Sequence, residues 1–143
     1  MSGPLPIEIA VALLSRADGL TLLVRKRGTT TFIQPGGKIE PGEIPADALC
    51  RELEEELGLR VSTEELIFAG SYPGPAVNEP GRTVVAHAFH ITVDVAVTAA
   101  AEIEELRWID PANPGEIVLA PLTRDVFLPL IRRGRREAPQ LER

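Results

Sequence analysis

The sequence holds one cysteine, Cys50, in 143 residues, so neither an intrachain disulfide nor a multi-cysteine metal site can form, which suits a reducing compartment. Long hydrophobic runs are missing as well. The longest near the start, Ile9–Leu14, is short, follows Glu8 and lacks the basic flank and small-residue cleavage site of a secretory signal. Nothing approaches the roughly 20 apolar residues that a membrane helix needs, and the chain reads as soluble and cytoplasmic. Positive charge is also short: 15 Lys and Arg stand against 21 Asp and Glu, a net charge of −6. Residues 1–131 alone carry ten basic and nineteen acidic side chains, a balance of −9, while residues 132–143 stand at +3. No overall positive field is available to hold a nucleic-acid backbone, so neither nucleic acid nor membrane is an expected partner.

What is present is one domain's worth of sequence, 44% hydrophobic and 25% charged, expected over residues 1–133 with a flexible basic tail at 134–143. Ile7–Ser15, the Asp18-Gly19 turn and Leu20–Val24 read as strand, turn and strand, closed by Arg25-Lys26-Arg27. The Gly/Pro cluster from Gln34 to Gly42 reads as an ordered loop that no strand or helix crosses. From Pro45 to Leu57 the period changes. Ala46, Leu49, Cys50, Leu53 and Leu57 draw one apolar stripe on a helix, with Pro45 in its first turn and Gly58 at its end. Leu66–Tyr72, Thr83–Val95 and Arg107–Ile109 read as further strands, and Leu122–Arg133 as a helix broken or delayed by Pro129.

The informative stretch is Arg51-Glu52-Leu53-Glu54-Glu55-Glu56-Leu57-Gly58. Glu52, Glu55 and Glu56 fall at i, i+3 and i+4, so the three carboxylates share a helix face at a cost of a few tenths of a kcal/mol per like-charged pair, roughly. No lysine stands four residues onward, and one arginine, Arg51, able to pair with Glu54 or Glu55, does not neutralise the cluster. An isolated acidic run is ordinarily a solvated face. Here it follows Gly36-Gly37, where bare backbone can approach an ion or a phosphate, and Glu43, which can reach an arginine of the helix. Clustered carboxylates beside such a loop suit a hard divalent cation that keeps positions for water and substrate phosphate.

Gly37, Glu43, Arg51-Glu52-Leu53, Glu55-Glu56 and Gly58-Leu59 stand at the spacing of an uninterrupted Nudix box, nine fixed positions over twenty-three residues, and the chain resembles the Nudix hydrolases, those of the MutT kind above all. The resemblance extends to Gln34–Glu40 and to Glu102–Trp108, over about residues 5–133. It implies an α/β fold, an α/β/α sandwich around a central mixed sheet, and hydrolysis of a nucleoside diphosphate linked to another group X. It further implies that Glu52, Glu55 and Glu56, with the carbonyl of Gly36, hold Mg²⁺ or Mn²⁺, and that Glu43 and Arg51 orient loop and helix. Glu55, Glu56 or Glu102 is then the candidate general base, with Glu104 and Glu105 competing for the part of Glu102. Ile44-Pro45 departs from the family, whose members often cap this helix with a small hydroxylated residue. The chemistry agrees with the charge balance, because a diphosphate is repelled by a domain at −9 unless cations bridge the two.

In size and loop sequence the chain resembles the nucleoside triphosphate pyrophosphohydrolases of the MutT kind, and the resemblance implies that activity. ADP-ribose or NDP-sugar cleavage and a non-catalytic nucleotide-sensing module are the alternatives. Arg25 and Arg27, on one face of a strand end, are candidate phosphate ligands together with the backbone of Gly37, against solvated strand-end charge as the equal alternative. His87 and His90 face opposite sides of their strand and cannot share a metal. The loop Tyr72–Arg82 is long enough to shape a substrate pocket. Phe32, Phe89 and Trp108 are possible stacking partners, but core positions suit them better in a chain with 4% aromatics. Relatives are often homodimers, although no interface is legible in the residues.

Overall fold

The computed structural model describes residues 4–141, with side chains through residue 134. The elements are β1 (Ile7–Ser15), β2 (Thr21–Lys26), β3 (Thr31–Ile33), β4 (Gly36–Lys38), α1 (Pro45–Leu57), β5 (Ile67–Pro75), β6 (Thr83–Thr92), β7 (Ile103–Ile109), β8 (Val118–Leu119) and α2 (Leu128–Leu141). The strands form one mixed sheet. β1 runs parallel to β6 along its whole length, from Ile7 opposite Val84 to Ser15 opposite Thr92. Its other edge is shared: Ser15 pairs with Thr21 of β2, and Ile9–Val11 pair with Lys38–Gly36 of β4. The sheet therefore forks beside β1, and the glycine loop lies in the fork.

Period-2 alternation sorts the apolar side chains onto two faces. Ala10, Ala12, Leu14, Leu22 and Val24 pack under Leu49, Leu53 and Leu57 of α1. Val11, Leu13, Leu23, Ala86 and Ala88 pack under Phe127, Leu128 and Ile131 at the start of α2. The result is the α/β sandwich with a helix on each side of a mixed sheet.

α1 has the bounds its apolar spacing predicts. Its N-cap, Ile44, makes no side-chain cap, and Pro45 supplies the preset first turn instead. Its C-terminus closes on Gly58 at φ 63°, with the amides of Gly58 and Leu59 on the carbonyls of Glu54 and Leu53.

Two expectations need correcting and a third holds in part. A strand, β4, does cross the Gly/Pro cluster, because Gly36 at φ +145° lies so close to β1 that a Cβ there would meet the Ala10 carbonyl oxygen. Only glycine allows that approach. Of the two readings of the last helix the delayed start is found and the break is not: α2 begins at Leu128, after a π-turn over Thr123–Phe127 in which the Thr123 carbonyl accepts the Leu128 amide, and runs on through Pro129. The buried stripe of α1 also differs from the expected one. Cys50 is only half-buried, while Ala48 and Glu56 lie inside.

The backbone continues as helix through Gly134 to Leu141. The basic tail expected there has its side chains from 135, and all of residues 142–143, outside the described residues. No helix among the described residues is long and apolar enough to cross a membrane.

Candidate active site

The site forms where β4, α1, the end of β2 and the start of β7 meet. Arg51 is its brace. The guanidinium makes a two-pronged contact with Glu43, from Nε to Oε2 and from Nη2 to Oε1, both at 2.8 Å. It also donates to Glu52 Oε2 at 2.7 Å and to the Lys38 carbonyl at 3.1 Å. The arginine beside Glu43, helped by the Glu40 amide, holds that carboxyl down at about 2. Arg51 thus pairs across to the loop and with Glu52, rather than with Glu54 or Glu55. Glu54 pairs with Arg60 instead.

The three box carboxylates of α1 occupy three environments. Glu55 is exposed. Glu52 is half-buried, packed so closely on Gly37 that a Cβ there would stand 2.5 Å from its Cδ. Burial raises the Glu52 carboxyl, and Arg51 pulls the other way. Glu56 is 2% exposed and accepts the Gly36 amide at 3.1 Å. Desolvation, reinforced by the charges of Glu52 and Glu102, pushes its carboxyl up to about 8.

Of the acids at the start of β7, only Glu102 turns toward this group. Lys26 Nζ meets its Oε1 at 3.0 Å. Glu104 pairs with Arg27, and Glu105 with Arg25 and Arg107. The left-handed backbone of Ala101, φ 55°, sets the entry to this segment, which is docked on α1 by the Ala100 amide on the Glu56 carbonyl at 2.9 Å.

Arg25 and Arg27 are not brought to the site. Arg25 is bound to Glu105 and the Thr29 carbonyl, Arg27 to Glu104 and the Ala101 carbonyl. Alternation along β2 parts both arginines from the α1 face, which Leu22, Val24 and then Lys26 share, while the extra residue at the register shift, Glu104, belongs to β7. The cation that does arrive is Lys26, whose charge acts on Glu52, Glu56 and Glu102. Sequence reasoning passed over it because it lies between the two arginines.

The donor chemistry fits a hard divalent cation. A buried carboxyl raised to about 8 beside two further acids favours a cation, and the side-chain-free cradle at Gly37 leaves room for Glu52 alone. Among the described residues no three His, Cys, Asp or Glu side chains converge on one point as they stand. Glu52 is turned to Arg51, Glu56 to the Gly36 amide and Glu102 to Lys26.

From this group a cleft of about 170 Å³ runs along the α2 face of the sheet. Lys26, Gly36, Gly37 and Lys38 line its carboxylate end, Ile9, Val11, Val84, Leu122 and Phe127 its apolar walls, and Gln34 and Thr123 its polar corner. The end of β5 and the loop after it contribute Pro75 to Glu79, and Lys38 ties the loop down on Glu79 at 2.9 Å. Phe127, which the sequence did not single out, is the aromatic in the cleft, whereas Phe32 and Phe89 are core. His87 lies away from it between Ser71 and Glu8, at 2.7 and 2.6 Å, and burial lowers His90.

A model of the NUDIX domain family matches residues 5–129. The CTP pyrophosphohydrolase of Escherichia coli strain K12 is 34% identical over 121 residues, covering 80% of this chain and 84% of that protein. The solution structure of the E. coli ORF135 protein superposes with a TM-score of 0.72 at 30% identity, over 96% of this chain and 99% of that one. The crystal structure of a MutT NUDIX hydrolase from Burkholderia pseudomallei superposes with a TM-score of 0.75 at 22% identity, over 89% of this chain and 98% of that one.

Proposed function

Because the chain belongs to the Nudix family and is a Nudix hydrolase, we propose that it is a divalent-metal-dependent pyrophosphohydrolase that cleaves a nucleoside triphosphate to the monophosphate and pyrophosphate. The observation that carries this reading is Glu56, a carboxyl 2% exposed and raised to about 8, bonded to the amide of Gly36, whose own residue also lines the cleft. A buried acid kept among other acids destabilises a structural domain but serves one that must gather cations against phosphate. The relative named CTP pyrophosphohydrolase supports the triphosphate over a dinucleotide or sugar nucleotide.

Glu52, Glu55 and Glu56, with the Gly36 carbonyl, are the residues that would hold Mg²⁺ or Mn²⁺. When bound, the cation supplies charge neutralisation and polarisation of the phosphoryl group under attack. Arg51 and Glu43 position Glu52 and the loop. Lys26, at the carboxylate end of the cleft, offers its ammonium to the substrate phosphates in exchange for Glu102. Glu102, so released, is the base that takes the proton from the attacking water.

Incubation with nucleoside triphosphates, ADP-ribose and sugar nucleotides, followed by product identification, tests this reading. Monophosphate and pyrophosphate from a triphosphate, with Glu56→Gln slower by at least about a hundredfold, is the expected result. Selective cleavage of ADP-ribose or a sugar nucleotide would move the assignment to that class, and nucleotide binding without turnover would make the chain a sensing module.

A further inference from the structure

One polar group in the cleft is left without a partner. Gln34 is 4% exposed and Thr123 1% exposed, and the Thr123 hydroxyl donates to Gln34 Oε1 at 2.7 Å. That bond occupies the amide oxygen, and Nε2 has no hydrogen-bond partner among the described residues. A buried donor without an acceptor is costly and uncommon in a native fold. Both residues line the cleft with the apolar Ile9, Val11, Val84, Leu122 and Phe127, and the acceptors of Asn78 and Glu79, which also line it, do not bond the amide. The two come from elements far apart in the chain, Gln34 just before β4 and Thr123 at the start of the π-turn.

We propose that Gln34 is the residue that selects the nucleobase, donating its amide hydrogens to an acceptor edge of the base, and that Thr123 is a positioning residue that fixes which end of the amide is presented. This deepens the reading above and rests on it, since it takes the ligand to be a nucleotide whose phosphates lie at the Lys26 end. The edge that fits carries a carbonyl oxygen next to an unprotonated ring nitrogen. Cytosine offers this at O2 and N3, whereas uracil, of nearly the same size, places an N–H at position 3 and turns a donor against a donor. A site whose buried polar group must be satisfied discriminates more strongly than an apolar pocket of the same shape.

The test compares the two pyrimidines on each protein, so the ratio does not depend on how much of a variant is folded. Dissociation constants for CMP and UMP come from calorimetry without metal, and kcat/KM for CTP and UTP from turnover with Mg²⁺. The wild type is expected to favour cytosine by about tenfold or more. Gln34→Met should bring the ratio close to one, Gln34→Glu should narrow or reverse it, and Thr123→Val should weaken it. A wild-type ratio that favours uracil, or one that Gln34→Met and Gln34→Glu both leave unchanged, overturns the proposal. CMP binding that depends on Gln34 without CTP turnover supports base selection while removing the hydrolase reading. A wild type that binds no nucleotide overturns both.

Discussion

Glu56 concentrates the physical argument at the scale of one residue. Its carboxyl has an ordinary value of 4.5 and is raised to about 8 in the fold, first by desolvation. A group so raised favours the folded state fully below the unfolded value, and that contribution is lost as pH rises through the folded one. The metal-free protein should therefore lose stability between pH 4.5 and about 8, by an amount on the order of a few kcal/mol. Glu56→Gln keeps the oxygen that accepts the Gly36 amide and removes the charge. Chemical denaturation at several pH values without metal should show this variant falling less steeply across the window than wild type and more stable than it at the upper end, and a slope equal to the wild-type slope would refute the assignment. The spacing in the sequence put three glutamates on one side of α1 but did not show that Glu56 lies in the buried stripe, three residues after Leu53 and seven after Leu49. Lys26 was hidden for a related reason. Strand alternation puts Lys26 on the face of Leu22 and Val24, which pack under α1, while the arginine pair falls on the opposite face, so only the docking of α1 on the sheet singles the lysine out.

Elements place these residues, and the two glycines of β4 separate what shapes the site from what shapes the fold. At Gly36 a Cβ would meet backbone of β1, which cannot yield. Gly36→Ala should destabilise by about 2 kcal/mol or more. At Gly37 the obstacle is the Glu52 carboxyl group, the movable end of a side chain, 2.5 Å from the new Cβ. Gly37→Ala should stay within about 1 kcal/mol of wild type in stability yet lose at least about tenfold in turnover, because Glu52 must leave its place against Arg51. Denaturation curves and initial rates on the pair check this, and equal losses of stability would contradict it. Leu53, fully buried between α1 and the sheet, should cost about 2–5 kcal/mol when cut to alanine. Helix α1 was legible to the residue because stripe, proline and glycine all marked it. Strand β4 was not, since a glycine pair reads as loop until a neighbouring strand is there to lie against.

In the whole molecule, the mixed sheet forks at β1, and the fork brings the glycine backbone, the face of α1 and the β7 acids to one end of a cleft on the other face. The longer strands, helix α1 and the carboxylate box were open to sequence reading because they are periodic or fixed in spacing, whereas the two- and three-residue strands β3, β4 and β8 were not. The cleft was not, because its walls come from β1, β6, the loop after β5 and the turn before α2, which only the tertiary fold assembles. The whole chain stands at −6, so phosphate approaches against charge unless cations intervene. The measurement that tests this account most directly is the initial rate of triphosphate hydrolysis as Mg²⁺ is restored to chelator-treated protein, for wild type and Glu56→Gln together. The account predicts no product without the cation, a saturable rise in the wild type and almost none in the variant. Turnover that persists without divalent metal, or a variant that keeps the wild-type rate, would contradict it.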